Sequence, residues 1–159
     1  MLKKLLGKKA KNILEGRSLA VEALKDGRGW ERFRTLVSIQ GGDVRFVDEP
    51  NRLPVAPLIK AYSAPRSGYL SWIDARIIGE TSVDLGAGRA KKEDIIDPAV
   101  GIIVLHKVGD FVEAGQPLYS IHANSVEKLD YAAERVLNAH QWSNTTVQPL
   151  PLFYEIVTK

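Results

Sequence analysis

The sequence predicts an α+β fold, in which a helical hairpin precedes a β-rich domain with inserted helices. Apolar residues recur at three- and four-residue steps within residues 1–42, which is typical of amphipathic helices. Short apolar runs bounded by turn residues dominate from residue 58 onward, which is typical of strands. Because strands and helices do not alternate regularly, a doubly wound parallel sheet is not expected.

Two helices are predicted before residue 43. The first carries an apolar stripe that begins at Ile13 and ends before Asp26-Gly27, a pair typical of helix stops. The second places Trp30 and Phe33 on one side and ends at Gly41-Gly42, where a C-cap is expected. A hairpin with one apolar side must pack on the rest of the chain or on another domain. An apolar side left unburied would allow the isolated chain to self-associate.

Turn residues and prolines then mark a connection that a long helix cannot cross, including Asp48-Glu49-Pro50-Asn51. The sequence thus predicts three regions. They are a helical segment over residues 1–42, a linker over residues 43–57 and an α+β domain over residues 58–159.

Within the α+β domain, two helices are predicted. Asp74 is a good N-cap for a helix that Gly86 ends, and a second helix is predicted from Ser125 to Asn138. Lys128 stands where a capping box would carry an acid. Turns are expected at 65–67, 108–110 and 111–117. Strands are predicted over Leu58–Ala64, Gly68–Ile73, Gly101–His106, Leu118–His122 and Leu152–Val157.

Composition excludes several classes of protein. The chain has 159 residues, 45% of them hydrophobic and 26% charged, as in ordinary globular proteins. The absence of cysteine excludes disulfides, cysteine-ligated metals and thiol catalysis. No apolar run approaches the ~20 residues of a membrane span, so no membrane partner is predicted. The first residues lack the apolar stretch of a secretory signal, which predicts a cytoplasmic protein.

The positive charge is concentrated at the start of the chain. Lys and Arg number 22 against 19 acids, a net charge of +3. Five lysines precede the first acid, Glu15, so 17 cations face 19 acids in the remainder. No aromatic residue is interleaved with these lysines. We predict a solvated helix end and no nucleic-acid partner.

No catalytic constellation is recognisable. His106, His122 and His140 lack the i, i+4 spacing of a metal-binding helix, although the first two each end a predicted strand and could approach each other. No Gly-x-Ser-x-Gly turn is present. We therefore predict no catalytic, substrate-binding or metal-ligating residue, and no cofactor. A small independent enzyme is the least favoured of the functions considered.

The segment that begins at Gly86 combines glycines with cations, namely Gly88, Arg89 and Lys91. Such a composition suits a phosphate loop, but phosphate loops precede helix N-termini and this segment follows a helix C-terminus. We predict instead a flexible loop whose cations form hydrogen bonds across an interface.

Two stretches, 64–70 and 108–118, resemble the paired halves of the biotinyl/lipoyl carrier domains, a barrel-sandwich-hybrid arrangement. A carrier displays its lysine on a tight hairpin between the halves. Here Lys91 and Lys92 lie between the halves without that hairpin context. A stand-alone biotinyl/lipoyl-like binding module is nevertheless the alternative function.

A series of motifs in one order carries a more specific resemblance. It resembles the C-terminal part of the pyrimidine-nucleoside phosphorylase and thymidine phosphorylase family, from about residue 12 to the end. The motifs are Gln40-Gly41-Gly42-Asp43, Ala64-Pro65-Arg66-Ser67-Gly68-Tyr69, Leu85-Gly86-Ala87-Gly88-Arg89-Ala90-Lys91-Lys92-Glu93-Asp94, Asp97-Pro98-Ala99-Val100-Gly101, and the stretch from His106-Lys107-Val108-Gly109-Asp110 to Ile121-His122-Ala123-Asn124.

The resemblance implies phosphorolysis, in which phosphate attacks a pyrimidine nucleoside and yields the free base and a pentose 1-phosphate. Phosphate is then a co-substrate, and the whole enzyme is expected to be a homodimer. The family's Lys-x-Ser-x-Gly-Gly phosphate loop is absent from this sequence. The chain is therefore expected to be a C-terminal fragment whose partners are the missing N-terminal domains, and to be inactive alone.

The resemblance also implies a role for residues 86–97. The corresponding segment of the family orders across the active-site cleft, which closes by domain movement. We expect Gly86 and Gly88 to give this loop its hinge freedom. Arg89 and Lys91 are expected to bond to the facing domain, with Arg89 helping to hold the closed state. The alternative is that the loop only covers the edge of the barrel.

Overall fold

A computed structural model describes residues 9–89 and 91–155 of the chain. The chain divides into two units. One comprises residues 1–53 with 153–159, and the other comprises residues 54–152. The predicted lysine-rich start, with Lys3, Lys4 and Lys8, lies outside the described residues.

The first unit is helical. Helix α1 (Ile13–Lys25) begins where the Asn12 side chain accepts the Glu15 N–H at 2.9 Å. Helix α2 (Arg28–Ile39) follows and contacts α1. Gly41, at a φ of 77°, follows the end of α2 in the left-handed conformation expected of a C-cap glycine. Both predicted helices are confirmed. Two further turns follow, α3 (Arg45–Asp48) and the 3₁₀ turn Pro50–Arg52.

The second unit contains two three-stranded antiparallel sheets. The strands are β1 (Leu58–Ser63), β2 (Gly68–Ile73), β3 (Gly101–Val104), β4 (Phe111–Val112), β5 (Pro117–Ala123) and β6 (His140–Ser143). One sheet has the order β1-β5-β3 and the other β4-β2-β6. The predicted α+β class is confirmed.

Two helices accompany these sheets. Helix α4 (Ala75–Ser82) is capped by the Asp74 side chain, which accepts the N–H groups of Arg76 and Ile77. It continues into a π-helical turn, Val83–Ala87. Helix α5 (Val126–Asn138) is capped by Ser125. Both N-caps stand where the sequence predicts them.

The core of the second unit draws on both sheets. Leu70 and Val112 come from one sheet, and Leu118 and Ile121 come from the central strand of the other. Tyr119 is also buried, and its hydroxyl donates to the Ala133 carbonyl at 2.8 Å. Burial raises the pKa of Tyr119 to about 12, so this donor keeps its proton at neutral pH.

Several strand predictions are wrong. The 111–117 turn contains a short strand, β4, whereas the predicted strand Gly101–His106 is confirmed as β3, which ends earlier, at Val104. No strand occurs over 152–155, and Ile156 and Val157 lie outside the described residues. Among the described residues, the last strand is β6, which pairs with β2, for example Leu70 with Trp142. It carries no apolar run, so its sequence alone does not mark it as a strand. The predicted 65–67 turn is confirmed between β1 and β2, which belong to different sheets.

Within residues 9–89 and 91–155, no helix combines the length and apolarity needed to cross a bilayer.

Candidate functional site

The 86–97 loop begins where α4 ends. Leu85 is 1% exposed and fixes the π-helical turn in the core. Gly86 then has φ 115° and ψ 3°, a conformation that residues with a Cβ rarely adopt. Glycine at this position lets the chain leave the helix while Leu85 stays buried.

The two ends of the 86–97 loop are hydrogen-bonded to each other. The Asp97 N–H donates to the Gly86 carbonyl at 2.9 Å. The Asp97 carboxylate accepts the Ala99 N–H at 2.9 Å and the Asn124 side-chain N–H at 3.3 Å. On the other side, the Lys128 ammonium donates to the Leu85 carbonyl at 3.1 Å. The ends are therefore held by backbone and side-chain bonds.

Gly88 is required for space. Its backbone is extended, with φ −147°, which any residue can adopt. A Cβ at Gly88 would lie 2.8 Å from Cγ2 of Val83, closer than packed carbon atoms approach. The structure thus gives each predicted glycine a distinct steric reason. The predicted hinge motion remains a prediction.

The described residues at the tip of the 86–97 loop are exposed. Arg89, Lys91 and Lys92 all lie at the surface. Lys91 begins a tight turn, in which its N–H donates to the Asp94 carboxylate at 2.8 Å. Ile95 is 92% exposed. Cationic donors beside an exposed isoleucine can bind another protein surface.

The three histidines occupy different places in the second unit, with His106 after β3, His122 in β5 and His140 in β6. His106 Nε2 bonds to the Pro117 carbonyl at 3.0 Å, at the start of β5, while His122 lies near its end. Five residues of strand separate Pro117 from His122, about 16 Å, so the expected approach of His106 to His122 is wrong. Within the described ranges, no three His, Asp or Glu side chains form a metal-binding group.

His140 is buried and packs in an aromatic stack. Its ring lies 5.8 Å from that of Tyr119, and its Nδ1 bonds to the Val136 carbonyl at 2.7 Å. Burial lowers the pKa of His140, which favours the neutral ring. His140 therefore belongs to the core.

A mostly apolar cleft of about 680 Å³ lies between α4, β3 and the turn that follows β3. Its walls include the apolar residues Ile78, Ile102 and Val108. Lys107 and Asp110 also line the cleft and are its charged residues. Gly86, Gly88, Arg89 and Lys91 do not line this cleft.

Comparison with known proteins finds a family similar to the second unit. Residues 69–143 match the family described as "Pyrimidine nucleoside phosphorylase C-terminal domain". This part of the chain is similar to that domain. The family resemblance predicted from the motifs is thereby confirmed for pyrimidine-nucleoside phosphorylases.

Curated relatives extend the similarity to the helical unit. A pyrimidine-nucleoside phosphorylase of Staphylococcus aureus (strain USA300) is 39% identical over 154 residues, which cover 97% of this chain. One from Geobacillus stearothermophilus is 39% identical over 153 residues, or 96% of the chain. The chain spans 35% of the length of each of these relatives. About two thirds of each relative therefore has no counterpart in these 159 residues.

The sequence indicates the 86–97 loop but not the residues that hold its ends. Lys128 lies 43 residues from Leu85 in the chain, and Asn124 lies 27 residues from Asp97. One signal was present in the sequence. A lysine stood where the helix start favours an acid, which indicates a partner elsewhere in the fold.

Proposed function

We propose that this chain is the C-terminal part of a pyrimidine-nucleoside phosphorylase and serves domain closure and structure. The whole enzyme is a pentosyltransferase of pyrimidine salvage, within the glycosyltransferases. Phosphate, its co-substrate, attacks the anomeric carbon of the nucleoside, which releases the free base and leaves a pentose 1-phosphate. The names of the Staphylococcus aureus and Geobacillus stearothermophilus relatives support this assignment.

The observation that carries the proposal is the contrast within the 86–97 loop. Its ends are fixed by four hydrogen bonds, while Arg89 and Lys91 are exposed at its tip. A loop of this kind suits rigid-body closure, because fixed ends move with their own domain and the exposed tip contacts the facing one. Contact would cover Ile95 and give the cations carboxylate or carbonyl partners.

The helical unit supports a second part of the proposal. Leu14 and Leu24 of α1 are 77% and 76% exposed, and Ile39 at the end of α2 is 80% exposed. We propose that residues 1–42 are the tail of the enzyme's α/β domain, joined through the linker 43–57 to the domain 58–159. The partner is then the remainder of a cytoplasmic enzyme, which acts as a homodimer.

We further infer that the two sheets are the halves of a barrel-sandwich-hybrid domain. Support comes from their shared core, in which Val112 of one sheet and Leu118 of the other are both buried. The position of Lys91 and Lys92 gives no support to a carrier role. Both lie between the π-helical turn and β3, whereas a carrier lysine stands on a hairpin between paired strands.

A hybrid enzyme tests the closing role. In this hybrid, the present chain replaces the matched 35% of the Staphylococcus aureus relative. Arg89→Ala should lower kcat for phosphorolysis of thymidine or uridine by about tenfold, since one charge-assisted hydrogen bond of the closed state is lost. The measurement is release of free base under saturating nucleoside and phosphate.

Lys107→Ala is the matched control, since it removes an exposed cation from a turn outside the 86–97 loop. The control should keep the kcat of the hybrid. Equal kcat values for Arg89→Ala and the unmodified hybrid would contradict the closing role.

A further inference from the structure

Helix α5 begins with a residue that its local position disfavours. The Ser125 side chain accepts the Lys128 N–H at 3.3 Å, which makes Ser125 the N-cap and Lys128 the third helical residue. Glu or Gln is preferred at that position, because an acid there completes a capping box. The positive end of the helix dipole also opposes a cation in the first turn. Neither helix capping nor the helix dipole therefore explains a lysine at position 128.

The Lys128 side chain instead reaches the end of another helix. Its ammonium donates to the Leu85 carbonyl at 3.1 Å, in the π-helical turn that ends α4. Carbonyls at a helix C-terminus lack intrahelical donors and carry partial negative charge. A cation that is misplaced in α5 is therefore well placed at the end of α4.

The same short segment also holds the other end of the 86–97 loop. Asn124 precedes Ser125 and donates to the Asp97 carboxylate at 3.3 Å. Asp97 in turn donates its N–H to Gly86 at 2.9 Å, next to the carbonyl that Lys128 binds. Residues 124–128 thus contact the loop where it leaves the core and where it returns.

We propose that Lys128 is a positioning residue, which works with Asn124 to fix the 86–97 loop to the start of α5. The fixed loop presents its exposed tip in one orientation. This proposal rests on the proposed function for its effect on catalysis. The attachment itself can be tested on the 159-residue chain alone.

Limited trypsin digestion of the chain tests the attachment. Arg89, Lys91 and Lys92 are exposed cleavage sites, and cleavage requires the loop to open from its ends. Loss of a hydrogen bond from a charged donor should make opening more frequent, so Lys128→Met should be cut at these sites about tenfold faster. Fragments ending at the three sites are quantified by mass spectrometry.

Three variants make the digestion decisive. Lys128→Arg retains a cationic donor and should restore slow cleavage, and Lys107→Met should be cut at the unmodified rate. Asn124→Ala releases the other end at an exposed position and should also accelerate cleavage, even if Lys128→Met folds poorly. Unmodified cleavage rates in both Lys128→Met and Asn124→Ala would overturn the proposal.

Kinetics of the hybrid enzyme separate this proposal from the proposed function. If both hold, Lys128→Met lowers kcat with little change in KM for the nucleoside, and Lys128→Arg restores kcat. Faster cleavage with an unchanged kcat would support the attachment and contradict the closing role of the loop. Unchanged cleavage rates in both Lys128→Met and Asn124→Ala would overturn the attachment whatever the kinetics show.

Discussion

The two units of the chain use apolar residues in opposite ways. In residues 54–152, the large side chains of Leu70, Leu118 and Ile121 are fully buried. Among the described residues of the helical unit, only Ala10, Gly16 and Val47 are buried. The helical unit is rich in Leu, Ile, Phe and Trp, yet most of these side chains remain accessible to solvent.

This difference shows that apolar content alone does not make a core. In the second unit, strands distant in the chain meet, as when Tyr62 of β1 pairs with Tyr119 of β5, and they enclose side chains on both faces. Two helices in contact have too little shared surface to bury their apolar sides. Most apolar side chains of the helical unit therefore lie at a surface and not in a core.

The largest expected effect comes from a matched pair of leucines. Leu118→Ala removes a fully buried side chain from the central strand β5, and should lower the free energy of unfolding by about 2–5 kcal/mol. Leu24→Ala alters a side chain that is 76% exposed. This variant should change the free energy of unfolding by about 0.5 kcal/mol or less. Denaturant unfolding of both variants measures these changes in the free energy of unfolding. Equal losses would contradict the contrast between the units.

A smaller effect is expected at the start of the 86–97 loop. Gly88→Ala places a Cβ 2.8 Å from Val83 Cγ2 and should destabilise the second unit by about 1–3 kcal/mol. Val83→Ala removes the obstructing methyl, so the double variant should recover part of this loss. Thermal unfolding of the single and double variants tests the steric account, which additive losses would refute.

The pH dependence of stability should reveal His140. Burial lowers its pKa below the ordinary 6.5, so the unfolded chain binds a proton that the folded chain does not. Stability from this group is therefore present above pH 6.5 and is lost as the pH falls from 6.5 toward the lower folded pKa. His140→Phe keeps an aromatic ring against Tyr119 and should reduce this loss of stability at low pH.

Thermal unfolding between about pH 7.5 and pH 5 measures the His140 effect. His122→Gln serves as the control, because it removes a different histidine of the same unit and leaves His140 in place. If the stability of His140→Phe falls with pH as steeply as that of the unmodified chain, His140 is not the source of the pH dependence.

The smallest effect is expected for an exposed ion pair of the helical unit. Arg34 donates to both carboxylate oxygens of Asp48, at 2.9 and 3.1 Å, but both side chains are about 40% exposed. Solvent and salt screen such a pair. A double-mutant cycle with Arg34→Ala and Asp48→Ala should show weak coupling that disappears at high salt. Strong, salt-independent coupling would contradict the exposure of this pair, because only a pair shielded from solvent escapes screening by salt.

Much of the architecture could be predicted because its signals are local. Asp74, Ser125 and Gly41 mark helix ends through bonds within a few residues, and the corresponding helix ends are confirmed. Strand β6 was missed because its definition depends on pairing with β2, about 70 residues earlier. The loop was recognised from its glycines and cations, whereas its attachment through Lys128 depends on tertiary contact.

The most direct test of the account is phosphorolysis by the chain itself. Purified 159-residue chain is incubated with thymidine or uridine and phosphate, and release of the free base is followed beside the hybrid enzyme. The account predicts release by the hybrid and none by the chain alone. Release by the chain alone that persists through repurification would contradict it, because the reaction would then be performed by residues within this chain.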